Sequence, residues 1–139
     1  MITNTAENKN NNMAAGKYSF VIEQGSTFQR DLVYKDSDGA PIDLSNYSSR
    51  MQIRPSPGSA TLFLTLSSSL MPDGTGLNMN GISGLIPAAS GTIGIVISAA
   101  SASMLTFDEA AYDLEIYSGS YASRIIEGKV KLSKEITTI

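Results

Sequence analysis

Two carboxylates on one predicted strand are the first residues whose types and spacing could do chemistry. Asp113 and Glu115 alternate with apolar residues, so they fall on the same side of an extended chain. The apolar residues of this alternation are Tyr112, Leu114 and Ile116. Neighbouring positions on one side of a strand lie about 7 Å apart, a separation at which two carboxylates can work as general acid and base. The alternative is a solvated strand face, or ion pairs with Lys129 or Lys131.

Two arginines form a second candidate site. Arg50 and Arg54 lie on one side of the predicted strand 49–54, whereas Met51 and Ile53 point inward. Guanidinium groups can hold a carboxylate or phosphate through paired hydrogen bonds, so the two arginines could clamp an anionic group of a partner. Two exposed arginines on a strand are also typical of a solvated face. We name Arg50 and Arg54 as candidate partner-binding residues.

The residue types that most enzymes use near neutral pH are missing. The chain has no cysteine and no histidine, which removes Ser-His-Asp and Cys-His nucleophiles and the usual zinc ligands. Residues 36–39 resemble the opening of a calcium-binding loop, but Ala40, Pro41 and Tyr47 stand where that loop needs Asp or Asn, Gly and Glu. A turn is predicted there instead. We therefore expect a protein that is not an enzyme and has no catalytic residue, cofactor or metal site.

The charge pattern bears on nucleic acid and membrane as partners. Ten basic and 13 acidic residues are spread along the chain without a basic block, and binding to phosphate backbones needs clustered Lys and Arg. No charged residue occurs between Asp73 and Asp108. A membrane-spanning helix is not predicted there, because Pro87 and several glycines interrupt the stretch and its isoleucines alternate. Neither nucleic acid nor membrane is expected as a partner.

Alternating apolar residues, separated by turn residues, predict an all-β domain with strand 112–117 at its centre. The other predicted strands are residues 17–23, 27–35, 49–54, 60–66, 91–97, 121–127 and 129–137. A bulge or bend at Gly128 is predicted to separate the last two, and Asn80-Gly81 predicts the type I′ turn of a hairpin. After the turn at residues 36–41 the chain is expected either to form a hairpin or to cross between sheets.

One short helix is predicted over residues 98–105, with Ser98 as its N-cap. Met104, Leu105 and Phe107 are expected to close the end of the core. Eight apolar side chains are expected to be buried together between two facing sheets: Phe20, Ile22, Leu32, Met51, Leu64, Ile95, Leu114 and Ile126. A chain of 139 residues, 42% of them hydrophobic, is long enough for one such core. Residues 17–139 are predicted to be the β-sandwich domain.

Residues 1–16 are predicted to be an extended or disordered N-terminal arm. They contain five asparagines and no apolar period, and they lack the basic start and apolar run of a secretory signal. One alternative is a tail without a partner, and translation could begin at Met13. The other is an arm that becomes ordered against another subunit, in which Ile2 would be the apolar anchor and Asn10, Asn11 and Asn12 would form hydrogen bonds to the partner.

The order of these segments resembles a small domain of tailed bacteriophages. The matching stretches are residues 17–28 (KYSFVIEQGSTF), 38–47 (DGAPIDLSNY), 50–54 (RMQIR), 91–100 (GTIGIVISAA), 112–115 (YDLE) and 124–130 (RIIEGKV). The chain is similar over these stretches to the N-terminal domain of phage baseplate upper proteins and to related short phage structural proteins. The resemblance implies an immunoglobulin-like antiparallel β-sandwich with one short helix, preceded by the arm.

The resemblance also implies a function. It predicts a non-enzymatic structural protein of the virion, which attaches or decorates tail, baseplate, neck or head components through its sandwich and its arm. The expected partners are other phage structural proteins in a symmetric, multi-copy assembly. The alternative is a module that binds host-surface glycan. An exposed cluster of Tyr47, Tyr117 and Tyr121 would favour that alternative, because glycan sites stack sugars on aromatic rings.

Overall fold

The computed structural model describes the backbone of residues 4–7 and all of residues 16–137. It contains ten strands, which are β1 (Asn4–Glu7), β2 (Gly16–Lys17), β3 (Phe20–Glu23), β4 (Phe28–Lys35), β5 (Ser48–Arg54), β6 (Leu64–Ser67), β7 (Gly76–Asn78), β8 (Thr92–Ile97), β9 (Glu109–Ser118) and β10 (Tyr121–Ser133). A 3-10 turn spans Ala88–Ser90, and one α-helix, α1, spans Ala99–Ser103.

The strands form two sheets that pack face to face. The small sheet has the order β1-β4-β8-β7, and the large sheet has the order β2-β10-β9-β5-β6, with β3 also paired to β10. The predicted immunoglobulin-like β-sandwich with one short helix is therefore confirmed. Strand β9 has β10 on one side and β5 on the other, which confirms the central place predicted for residues 112–117. After the turn at 36–41 the chain crosses from the small sheet to the large one.

The pairing is antiparallel through the body of both sheets and parallel where the first strands join. Strand β1 pairs in parallel with β4, and β2 and β3 pair in parallel with β10. The predicted strand 17–23 is in fact two strands, with Tyr18 and Ser19 between them. This break occurs where the chain passes Gly128 of β10: a Cβ atom on Gly128 would lie 1.9 Å from the Tyr18 carbonyl oxygen. The Tyr112 hydroxyl donates to the same oxygen at 2.6 Å.

The predicted break of the last strand at Gly128 is wrong. Strand β10 runs without interruption past Gly128, and its register shift lies between Arg124 and Ile126. The extra residue at this bulge is Ile125, and both Ile125 and Ile126 are buried. Gly128 instead allows the backbone at Tyr18 to come close to β10, which is another reason for a glycine within a strand.

Seven of the eight predicted core residues are buried, and Leu64 is the exception. Leu64 is only partly buried because β6 begins there, at the edge of the large sheet. The predicted strand 60–66 is therefore too long at its start, and Leu62 lies outside it with 44% of its surface exposed.

In the helix the predicted N-cap is confirmed, but one of the residues predicted to close the core is exposed. The Ser98 side chain accepts a hydrogen bond from the Ser101 backbone N–H at 3.0 Å. Leu105 and Phe107 are buried as predicted, but Met104 is 79% exposed. The buried helix residue is Ala102, and a position two residues further on lies about 200° around the helix axis, which directs Met104 to solvent.

The predicted hairpin at Asn80-Gly81 is absent. A turn does form, with the Gly81 N–H donating to the Asn78 carbonyl at 3.1 Å. A type I′ turn needs positive φ at both central residues, and no non-glycine residue of the described chain has positive φ. Beyond the turn the chain makes no strand until β8. It crosses the outer side of the small sheet, so close that a Cβ atom on Gly94 would lie 2.4 Å from the Ile82 backbone nitrogen.

Candidate functional site

The outer face of the large sheet brings together most of the residues that sequence reasoning selected. We define this outer face as the outward side chains of β5, β9 and β10. Its charged members are Arg50, Arg54, Glu109, Asp113, Glu115, Arg124, Glu127, Lys129 and Lys131. None of these nine side chains is buried. They alternate with the core residues of the same strands, because successive side chains of a strand point to opposite sides.

Acidic and basic side chains interleave across this face. Glu115 of the central strand lies between Arg50 of β5 and Arg124 of β10, and Asp113 lies beside Glu127. Arg124 also pairs with both of these acidic residues: its Nε lies 3.3 Å from Asp113 Oδ2, and its Nη1 lies 3.0 Å from Glu127 Oε1. Glu127 also pairs with Lys17 of β2. The face thus presents both signs of charge, with Glu115 between two arginines and with Asp113 and Glu127 as adjacent carboxylates.

Arg50 and Arg54 share this face, as predicted, but each is held by its own neighbours. Arg50 pairs with Glu115, and its guanidinium carbon lies 4.4 Å from the centre of the Tyr117 ring. Arg54 donates to the Ser59 carbonyl at 3.0 Å and to the Gln52 side chain at 2.9 Å. The two guanidinium groups are therefore fixed separately, and the arrangement does not favour a joint clamp on one anion.

Asp113 and Glu115 lie on one side of β9, as the alternation predicted, but their partners differ from those expected. Asp113 pairs with Arg124 and Glu115 with Arg50, while Lys129 pairs with Glu109 at 3.6 Å. The expectation of pairs with Lys129 or Lys131 is wrong. Lys129 and Lys131 lie opposite Ala111 and Glu109 in the register, nearer the other end of β9.

The carboxylates of this face differ in their electrostatic environment. Partial burial raises the pKa of Asp113, and the neighbouring Glu115 and Glu127 raise it further, while Arg124 opposes them. The hydrogen bond from Lys17 lowers the pKa of Glu127, and Arg124 adds to this effect. The two groups lie against a cavity of 260 Å³, which is open to solvent and also lined by Gln52, Arg54 and the turn at residues 56–58. This cavity can receive a polar side chain of a partner.

The three tyrosines named for glycan binding do not form one cluster. The rings of Tyr47 and Tyr121 lie 6.1 Å apart, and both positions have the inward parity of Ile116 in the register. Tyr117 has the opposite parity and lies under Arg50 on the outer face. The aromatic platform that would favour a sugar ligand is thus divided between two sides of the sheet.

Arg124 and Glu127 of the outer face, and Lys17 of β2 beside it, were not selected from the sequence. Arg124 and Glu127 are three residues apart, so simple alternation puts them on opposite sides of a strand. The bulge at Ile125 brings both to the outer side. A bulge of this kind gives only a weak sequence signal here, namely two adjacent buried isoleucines.

The other proposed partner-binding residues, Ile2, Asn10, Asn11 and Asn12, lie outside the described residues. The part of the arm that is described, β1, pairs with β4 of the same chain in the register Asn4 with Leu32 through Glu7 with Lys35. Among residues 4–7 and 16–137, no group of three or more His, Cys, Asp or Glu side chains could hold a metal ion. No helix in that part of the chain is long and apolar enough to span a membrane.

No protein-family model matches the chain. No curated protein matches it either.

Proposed function

We propose that this chain is a non-enzymatic structural protein of a tailed-bacteriophage virion, which docks on a neighbouring virion protein through the outer face of its large sheet. The observation that carries the docking part is the array of nine interleaved charged side chains on three adjacent strands, none of them buried. The virion part is supported by the resemblance of the ordered sequence segments to phage structural domains.

A protein surface fits this face better than a polyanion does. Nucleic acid is bound by clustered positive charge, whereas each arginine of the outer face lies beside a carboxylate or is held by neutral acceptors. Charged groups of both signs in a fixed pattern select a partner with the complementary pattern and set its orientation. Arg50 stacked on Tyr117 supplies two of the three residue types that most often contribute strongly to protein interfaces.

The experiment compares two charge reversals at similarly exposed, ion-paired positions, one on the outer face and one away from it. Arg50→Glu reverses a side chain that is 51% exposed and paired with Glu115 on the outer face. Lys134→Glu reverses a side chain that is 49% exposed and paired with Asp108, beyond the end of β10. Each tagged variant is produced with its neighbouring structural genes, and its amount in purified particles is measured against the parent.

Arg50→Glu is expected to reduce incorporation into particles by about tenfold or more, because reversing a charge within a complementary interface replaces attraction by repulsion. Lys134→Glu is expected to leave incorporation within about twofold of the parent, since exposed ion pairs outside an interface contribute little. Equal incorporation of both variants would contradict docking through the outer face. Absence of the parent chain from purified particles would contradict the virion assignment itself.

A further inference from the structure

The first strand of the chain lies on an edge that every other copy of the protein also carries. Strand β1 pairs in parallel with residues 32–35 of β4, the edge strand of the small sheet without it. We infer that β1 is an exchangeable strand, which leaves β4 of its own chain and pairs with β4 of a second copy when copies are held close together.

The sequence of β1 lacks the large apolar side chains that would hold the strand on its own chain. Asn-Thr-Ala-Glu contains no large apolar residue, so its pairing depends chiefly on main-chain hydrogen bonds. The net stabilisation from such bonds is comparable to the free-energy cost of the conformational entropy that is lost when the residues that make them are ordered. A strand of this kind is bound only marginally within one chain.

The receiving edge is ready-made. Leu32 and Tyr34 of β4 are buried in the core, and β8 pairs with β4 from Phe28 to Val33 on its other side. Strand β4 therefore keeps its place whichever copy supplies β1. An edge strand with unpaired N–H and C=O groups is a template for a strand of matching register, and β1 of a second copy offers the same register and the same contacts.

The connection to the sandwich decides between the two arrangements. Eight residues, 8–15, join β1 to β2, and β2 belongs to the other sheet. Since the bound contacts are identical in both arrangements, the balance depends on the effective concentration of the foreign edge. Exchange is therefore concentration-dependent in solution and becomes favoured in an assembly that fixes several copies side by side. It deepens the proposed function by naming a second copy as the partner of the arm.

Disulfide trapping tests this inference directly, because the chain has no natural cysteine. The register places Thr5 beside Val33. Chains carrying Thr5→Cys are mixed with chains carrying Val33→Cys, concentrated, and oxidised in a thiol–disulfide buffer. The matched control replaces Val33→Cys by Gln29→Cys, an exposed position of β4 four residues earlier, about 13 Å along the strand and beyond the reach of a disulfide from Thr5. The Glu7→Cys and Lys35→Cys pair repeats the test at a second registered position.

The expected result is a cross-linked heterodimer whose yield rises with concentration and is about tenfold or more above the Gln29→Cys control. The double variant Thr5→Cys with Val33→Cys is expected to cross-link within one chain when dilute and between chains when concentrated. Cross-links confined to single chains at every concentration, or no preference for Val33 over Gln29 at either registered pair, would overturn the exchange. Either outcome would leave docking through the outer face untouched, since the purified chain alone is tested.

Discussion

The two sheets treat their outer sides in opposite ways. The chain itself covers part of the small sheet: the segment after β7 crosses β8 at Gly94, and the Ile82 N–H donates to the Asp31 side chain of β4 at 2.8 Å. The large sheet leaves its charged outer face in contact with solvent. Strand β8 is buried on both sides along most of its length, which explains the isoleucine-rich, charge-free sequence around it. Within the described residues, the charged side chains of β5, β9 and β10 therefore lie on the side of the sandwich that keeps its contact with solvent.

The largest expected effect lies between the sheets, where the two sides share one core. Leu114→Ala is expected to lower the free energy of unfolding by roughly 2–5 kcal/mol, because truncating a fully buried leucine loses apolar contacts and leaves a cavity. Urea unfolding of parent and variant measures the difference. A variant as stable as the parent would contradict the placement of β9 at the centre of the structure.

The covered side of the small sheet is expected to tolerate no added bulk. Gly94→Ala places a methyl group 2.4 Å from the Ile82 backbone nitrogen, so the overlying segment must move, at a cost of about 1–3 kcal/mol. Ala111→Val is the matched control, because Ala111 lies on β9 between Arg54 and Lys129 on the uncovered side. That change should alter stability by less than about 0.5 kcal/mol. Equal losses of unfolding free energy in the two variants would contradict the distinction between covered and uncovered sides.

The smallest expected effect is electrostatic and concerns the uncovered side. Partial burial and two neighbouring carboxylates raise the pKa of Asp113 above its ordinary value of 3.8. The folded state therefore binds the Asp113 proton more tightly than the unfolded state does. The stabilisation from this proton is present below the unfolded pKa and is lost as the pH rises through the folded pKa.

Asp113→Asn removes this pH-dependent loss. Its stability relative to the parent is expected to rise between about pH 3 and about pH 7, by a modest amount because solvent screens the group. Urea unfolding of both proteins at the two pH values gives the difference. Glu127→Gln should show the opposite trend, because the lowered pKa of Glu127 stabilises the folded state above the unfolded pKa. Parallel pH profiles for the two variants would contradict the assigned directions.

Local pattern was enough to predict the core strands but not the composition of the outer face. The alternation through Tyr112, Leu114 and Ile116 predicted β9, and Ser98 predicted the start of the helix. Both signals are contained within a few neighbouring residues. The bulge at Ile125 depends on how β10 pairs with β9, so the shared side of Arg124 and Glu127 could not be read from alternation.

The other errors have the same origin in tertiary structure. Asn80-Gly81 had the composition of a hairpin turn, but the following segment packs across Gly94 instead of pairing with β7. Leu64 had the right alternation and lies at the start of an edge strand, where the core no longer covers it. The candidate arginines were placed on the correct face, while their actual partners depend on strand register.

The parallel pairing of β2 and β3 with β10 has a consequence for the order in which the molecule can fold. Lys17 and Glu127 are 110 positions apart along the chain, so this junction is among the most non-local contacts in the fold. During synthesis, residues 16–23 leave the ribosome long before the strand that receives them, so β2 and β3 have no strand partner in the large sheet until β10 has emerged. Non-local pairing of this kind slows folding and leaves apolar strands exposed to self-association in the meantime. The hairpin of β9 and β10 can form locally, and closure of the sandwich then follows as a late, slow step.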